Sequence, residues 1–192
     1  MPAEIPAGGT WFDTLKRSFD DVPVDAANDN AIATSEFLEA AESLTTLFDV
    51  LGSAAFSPVK SDLTGNIKVR LSPRSGVAPS NTKKHVATEG LVWLVRGLEF
   101  TAKALRHNLD NGTELSDSFR DAYGKTLKQH HSFMIKPIFS AAMSATPYRK
   151  DFYAKLGSDE GKVKAALERE VAALEKRVEI LKSFQERKEA KW

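Results

Sequence analysis

No cysteine occurs in the 192 residues of this chain. That excludes a disulfide framework and every thiolate metal or redox site. No stretch approaches the roughly 18 continuous apolar residues that a bilayer-spanning helix needs. The opening "MPAEIPAGGT" lacks the basic region and apolar run of a secretory signal. Charge of one sign is not in surplus either. Lys+Arg 27 against Asp+Glu 26 leaves +1, so no bulk field draws nucleic acid or an anionic membrane. Convincing strand alternation is missing, as are a nucleophile elbow, a phosphate-binding glycine loop, an EF-hand loop and any metal-spaced cluster. These absences predict a soluble, cytoplasmic chain with no nucleic-acid partner, no metal, no cofactor and no enzymatic constellation. Its length suits one domain with a real core.

What is present in excess is phenylalanine, 11 residues against Trp 3 and Tyr 3. Phe has no polar handle, so such a bias suits either an ordinary aromatic core or the lining of something wholly apolar. Nearly every periodic segment has helical spacing. Thr10 can cap a short helix carrying Trp11, Phe12, Leu15 and Phe19. "DDVPVDAANDNAIA" reads as loop. From Thr34 or Ser35 a helix carries Phe37, Leu38, Ala41, Leu44, Phe48 and Leu51, and Gly52 can end it. Ser57 and Pro58 form an N-cap and first-turn pair for the next helix. After the Pro/Gly/Ser-rich loop 71–82, a long helix is expected from Thr88 to Leu109. Helices over 114–135 and 137–145 follow, with Pro137 as a kink or break, then a short helix and a last one opened by Ser158. Several long amphipathic helices with short links indicate an all-α, layered domain.

Three constellations stand out. Around "KSDLTGNIKVRL", Phe56, Val59, Leu63 and Ile67 form an apolar arc, with Asn66 inside its edge and Asp62 just beside it. Asp62 and Asn66 can present an acceptor and a mixed donor–acceptor to one ligand, or form a paired structural acid. In "GLVWLVRGLEF", Trp93 and Gly97 share a face. Glycine inside a helix costs about 1 kcal/mol relative to alanine. It either leaves room beside the indole, as a sugar-stacking platform would need, or permits close helix–helix packing. In "KQHHSFMIKPIF", His131 shares a stripe with Leu127, Ile135 and Ile138, while His130 points about 100° away on a helical wheel. The two are therefore not a chelating pair. His131 is a core histidine or a donor to a carbonyl in an apolar cavity. "EFLEAAE" resembles an acidic two-phenylalanine adaptor motif, but Phe37, Leu38 and Ala41 belong to an apolar helix face and favour burial. The basic–aromatic clusters "PYRKDFYAK" and "RKEAKW" suit a bilayer interface or a solvated chain end.

Together, "DLTGN", "VWLVRGLEF", "HHSFMIKPIFSAAMSATPYRKDF" and "KEAKW" resemble the glycolipid transfer protein family, most closely its fungal heterokaryon-incompatibility branch. The resemblance implies a two-layer helical sandwich enclosing a hydrophobic lipid tunnel, with 10–192 as the domain and 1–9 as a disordered tail. It implies that Asp62 binds the ceramide amide and a sugar hydroxyl, Asn66 the sugar, Trp93 the underside of the first sugar, and His131 the ceramide carbonyl. Phe37, Phe48, Phe56, Phe100, Phe139 and Phe184 are the candidates for the tunnel lining. Phe133, Tyr148, Lys150, Tyr153 and Trp192 are the candidates for the membrane interface. The family lysine three residues after the asparagine is Val69 here, and Arg70 compensates only if the helix unwinds at "KVRLSP". The expected activity is non-enzymatic transport of glycosphingolipid by a monomer in transient contact with membranes. Its alternatives are a glycolipid sensor with poor transfer, or a ceramide-1-phosphate carrier. The latter branch uses arginines where this chain has Trp93 and Gly97.

Overall fold

The computed structural model describes residues 4–52, 56–71 and 81–187, the side chains of 69–71 and 81–88 excepted. Its α-helices are α1 (Thr34–Thr45), α2 (Leu47–Val50), α3 (Ser57–Leu71), α4 (Asn81–Asn111), α5 (Leu115–Lys125), α6 (Ile135–Ser144), α7 (Arg149–Leu156) and α8 (Glu160–Glu186). They pack as an all-α, two-layer sandwich organised about α4, which meets α3, α5 and α8, while α1 lies on α3 and α6 on α5. Among the described residues no helix is long and apolar enough to cross a membrane.

The apolar stripes explain the packing. Phe56, Val59, Leu63 and Ile67 of the α3 segment are buried, as are Leu94, Val95, Leu98, Ala102 and Leu105 of α4. Phe37, Leu38 and Ala41 are buried too, which places "EFLEAAE" in the core. Helix α1 breaks briefly at Thr46 before α2, and Gly52 ends the pair in a left-handed conformation that suits glycine (φ 71°). Helix α4 begins at Asn81, a full two turns before the expected Thr88. Helix α3 continues through Leu71, so the unwinding required for Arg70 to compensate for Val69 does not occur. The side chains of Val69 and Arg70 lie outside the described residues.

The N-terminal segment makes two backbone hydrogen bonds. The Gly9 N–H donates to the Pro6 carbonyl at 2.9 Å, and Lys162 Nζ donates to the Gly8 carbonyl at 2.9 Å. The Thr10-capped segment is a single 3-10 turn, Trp11–Thr14. The expected loop contains a two-residue hairpin, Val24–Asp25 against Ala31–Ile32, turned by Asp29 and Asn30 at positive φ. Helix α8 holds this region with two charges inside its apolar stripe. Buried Glu170 accepts from Ser18 Oγ and from the Phe19 N–H (3.0 Å). Arg177, two turns on, donates to the carbonyls of Val22 (2.8 Å) and Asp20 (3.3 Å). The α8 N-cap is Asp159, whose carboxylate accepts from the Lys162 N–H, rather than Ser158.

Helix α3 crosses α4 at Gly97, where an added Cβ would stand 2.6 Å from Leu63 Cδ2. Close packing is thus the reason for the glycine. The ring of Phe119 meets both Phe56, which precedes Leu63 on the α3 side, and Phe100, which follows Gly97 on α4 (5.9 and 5.6 Å), so α3 and α4 run antiparallel through the crossing. Asn66 and Ile67 therefore stand level with Trp93.

Gly97→Val is expected to destabilise the fold by about 1–3 kcal/mol, because Leu63 is buried and must leave its rotamer. Chemical denaturation checks this. Leu63→Ala in the same chain should recover part of the loss, giving a non-additive cycle.

Candidate functional site

The expected single helix over 114–135 does not exist. Helix α5 stops at Thr126 (φ −126°, ψ −88°), and a 3-10 turn, Leu127–Gln129, carries the chain around. His130 and His131 therefore lie on a connection, their N–H groups both donating to the Leu127 carbonyl. Helical geometry no longer separates them, and both reach Trp93. The His131 ring stacks on the indole (6.0 Å between centroids, 22° between planes), and His130 meets it edge-on at 6.4 Å. Pro137 does not kink a helix. It sits in the first turn of α6, where its missing N–H has no intrahelical partner to lose.

His131 is half-buried among three rings. Tyr123 Oη lies 3.1 Å from His131 Nδ1, and Phe139 stands 4.5 Å away by ring centroid. Burial lowers the imidazole pKa from 6.5, and the nearby charges of His130 and Lys136 push it the same way. The phenol of Tyr123 is shifted up by burial and stays protonated. When its O–H donates to Nδ1, the neutral imidazole keeps its proton on Nε2.

From His131 the ring contacts run inward. Phe139 stacks on Tyr123 (5.4 Å), Phe100 touches both Phe139 (6.1 Å) and Phe119 (5.6 Å), Phe119 touches Phe56 (5.9 Å), and Phe56 touches Phe48 (5.8 Å). Four of the six candidate tunnel residues, Phe48, Phe56, Phe100 and Phe139, thus belong to one series. Phe37 is buried but pairs with Phe19 instead. Phe184 lies apart, 40% exposed at the end of α8 with Arg187 over its ring.

On α3, Asp62 is exposed and Asn66 half-buried. Burial by neighbouring atoms pushes the Asp62 carboxyl up, and a hydrogen bond from Asn66 pulls it partly back. On α4, the Arg96 guanidinium carbon lies 4.9 Å from the centroid of the Trp93 indole. Among the described residues no group of His, Asp or Glu is arranged to hold a metal ion.

Of the candidate membrane residues, Phe133 (82%) and Tyr148 (75%) are strongly exposed, and Lys150 is exposed beside Tyr148. Met134 (66%), Ile135 and Ile138, not singled out by the sequence, extend the apolar face around Phe133. Tyr153 does not join them. It is 5% exposed, its hydroxyl donates to Asn108 at 3.0 Å, and Arg149 covers its ring. Trp192 lies outside the described residues. A separate groove of about 420 Å³ between α4 and α8 is lined by Glu99, Lys103, Glu175 and Lys182. The Lys182–Glu99 bridge (2.6 Å) crosses it, so its character is ionic and unlike an alkyl-chain site.

The Trp93 indole and the half-buried His131 imidazole stand at the outer end of an aromatic series inside an all-α, two-layer sandwich. The chain belongs to the glycolipid transfer protein family: the family model described as Glycolipid transfer protein (GLTP) matches residues 32–72 and 74–158. It is 62% identical over 204 residues to a glycolipid transfer protein of Aureobasidium melanogenum, covering 99% of this chain and all of that one. The crystal structure of HET-C2, a fungal glycolipid transfer protein, superposes with a TM-score of 0.87 at 60% identity, over 94% of this chain and 98% of that one. The GLTP-fold structure of FAPP2, described as selecting simple glycosphingolipids, gives 0.76 at 31% identity, over 92% and 95%.

The depressed His131 pKa predicts a pH dependence. Above pH 6.5 the imidazole is neutral in both folded and unfolded chains. As pH falls below 6.5 the unfolded chain takes up the proton first, so the stability associated with His131 is lost as pH drops through the folded value. His131→Gln is expected to flatten that acid-side loss when unfolding is followed by denaturant titration at several pH values.

Proposed function

We propose that the chain is a non-enzymatic, monomeric carrier of glycosphingolipids between membranes. The observation that carries this reading is the unbroken ring series from Trp93 and His131 into the core. In this reading it joins the headgroup site to an apolar interior. In this reading Trp93 supports the C–H face of the first sugar. Asp62 accepts from the ceramide amide and a sugar hydroxyl, Asn66 binds further hydroxyls, and the Nε2–H of His131 donates to the ceramide carbonyl. Phe48, Phe56, Phe100 and Phe139 receive the chains. Their centroids are in contact at about 6 Å, so seating an alkyl chain requires these rings to rotate apart.

The energetics favour such a design. Each CH₂ drawn out of a bilayer costs about 0.8 kcal/mol, so two long chains demand an apolar lining worth tens of kcal/mol. The exposed face of Phe133, Met134, Ile135, Ile138 and Tyr148, flanked by exposed Lys136 and Lys150, suits shallow contact with the cytosolic side of a membrane. A ceramide-1-phosphate reading is disfavoured at Gly97. The arginine that branch uses is absent at position 97, and one placed there would press its Cβ against Leu63.

Transfer of fluorescent glycosphingolipid between vesicles, without nucleotide or metal, tests the reading. Trp93→Ala and Asp62→Val are each expected to lower transfer tenfold or more with helical content retained, since a hydrogen bond to a charged group is worth roughly 1.5–3 kcal/mol. Binding without transfer would favour a sensor, and a preference for ceramide-1-phosphate over monohexosylceramide would sink the sugar assignment of Trp93. Phe133→Ser is expected to weaken adsorption to vesicles, read by co-sedimentation, because it removes a large apolar side chain from the membrane face.

A further inference from the structure

Sulfur is scarce in this chain. There is no cysteine, and the three methionines are Met1, Met134 and Met143. Met1 lies outside the described residues, and the other two differ sharply although one helix carries both. Met143 faces the hydrophobic core from α6 and is 4% exposed. Met134, at the N-cap of α6, is 66% exposed. The turn that opens α6 sets this difference. The Ser132 carbonyl accepts from the N–H groups of both Ile135 and Lys136 (3.2 Å each), so the chain doubles back and Met134 projects from the bend. Methionine is among the residues most often found fully buried, so a strongly exposed one calls for a reason.

Its neighbours on the surface are Phe133, Ile135, Ile138 and Tyr148. Of these five side chains only the thioether is open to a two-electron oxidant. A hydroperoxide delivers its terminal oxygen to the sulfur lone pair. The S–O bond forms as the O–O bond breaks, sulfur loses two electrons, and the peroxide departs as water or an alcohol. No thiol in the chain intercepts the oxidant, because the chain has none. The sulfoxide oxygen is a strong hydrogen-bond acceptor. Pushed into the acyl region of a bilayer it finds no donor, and an unpaired polar group there is costly. One oxygen atom therefore turns a side chain that gains by leaving water into one that loses by it.

We propose that Met134 is a redox modification site that sets the affinity of the protein for lipid surfaces: the thioether form adsorbs, and the sulfoxide form is released. The proposal rests on the membrane reading of the face around Phe133. Burial of Met143 confines the oxidation to that face and leaves the core intact. Exposed Lys136 and Lys150 keep their charges through the change, so what is lost is apolar insertion and not attraction to anionic headgroups. A sulfoxide reductase drawing on a dithiol regenerates the thioether, which makes the modification a cycle.

Treating the full chain with hydrogen peroxide, removing the oxidant and measuring co-sedimentation with mixed phosphatidylcholine–phosphatidylserine vesicles tests this. Peptide mass mapping should find one added oxygen at Met134 well before any at Met143. The oxidised protein is expected to bind the vesicles roughly tenfold more weakly, the scale of keeping one methionine side chain out of an apolar environment, with its circular dichroism unchanged. Incubation with a methionine sulfoxide reductase and dithiothreitol should restore the binding. In Met134→Leu, whatever its own affinity, peroxide should leave binding where it was. That variant retains Met1 and Met143, so its resistance assigns the effect to position 134. Undiminished adsorption of protein that carries the sulfoxide at Met134 would overturn the proposal, and so would an equal peroxide sensitivity in Met134→Leu. Failure of the untreated protein to adsorb would instead defeat the membrane reading of the face, and this inference with it.

Discussion

At Gly97 the α4 backbone runs so close to α3 that a single added carbon would collide with Leu63. That approach does more than pack two helices. It sets their register, and the register decides which turn of α3 stands opposite Trp93. Phe119 meets Phe56 before the crossing on one helix and Phe100 after it on the other, so the pair is antiparallel and Asn66 lies on the Trp93 side of the crossing. A side chain at position 97 would force Leu63 out of its place between the helices. Site geometry here depends on a residue that contributes no functional group.

The second constraint is the end of α5 at Thr126. Had the helix continued, His130 and His131 would have pointed in different directions and only one could have met Trp93. The turn instead gathers Tyr123, His131 and Phe139 behind the indole and leaves Phe133 and Met134 projecting outward. One short stretch of chain thus supplies an inner polar contact and an outer apolar face. Elsewhere the fold spends its buried charges on architecture. Glu170 and Arg177 fasten the segment 18–22 to α8 through backbone groups, a use that requires neither to meet the other.

Much of this was legible in the sequence, for identifiable reasons. The stripes of α3, α4 and α8 are long and regular, so their buried faces were readable from spacing alone. Gly97 announced close packing because glycine is costly in mid-helix. The roles expected of Asp62, Asn66, Trp93 and His131 came from motif resemblance; the structure pairs Asp62 with Asn66 and stacks His131 on Trp93. The break at Thr126 was not legible, because "TLKQHHSFM" contains no glycine or proline and keeps a helical pattern. Tyr153 was misassigned to the membrane face because its basic neighbours suggested exposure, whereas its hydroxyl is needed inside by Asn108. Tyr123 escaped notice for a different reason. Its importance lies in contacts between elements, which no single helical wheel displays. Glu170 and Arg177 did leave a signal, two charges seven residues apart within an apolar stripe.

The position of His131 has a thermodynamic corollary. Its ring touches Trp93 on one side and Phe139 on the other, so it belongs at once to the recognition surface and to the aromatic core. Whatever displaces Phe139 also changes the ground on which the indole rests, and a change at the indole is felt at Phe139. For an amphiphile seated as proposed, head and tail are then not independent determinants whose contributions add. They share a coupling free energy through one imidazole, and by reciprocity the length of a chain in the core alters discrimination among headgroups by the same factor that the headgroup alters discrimination among chains.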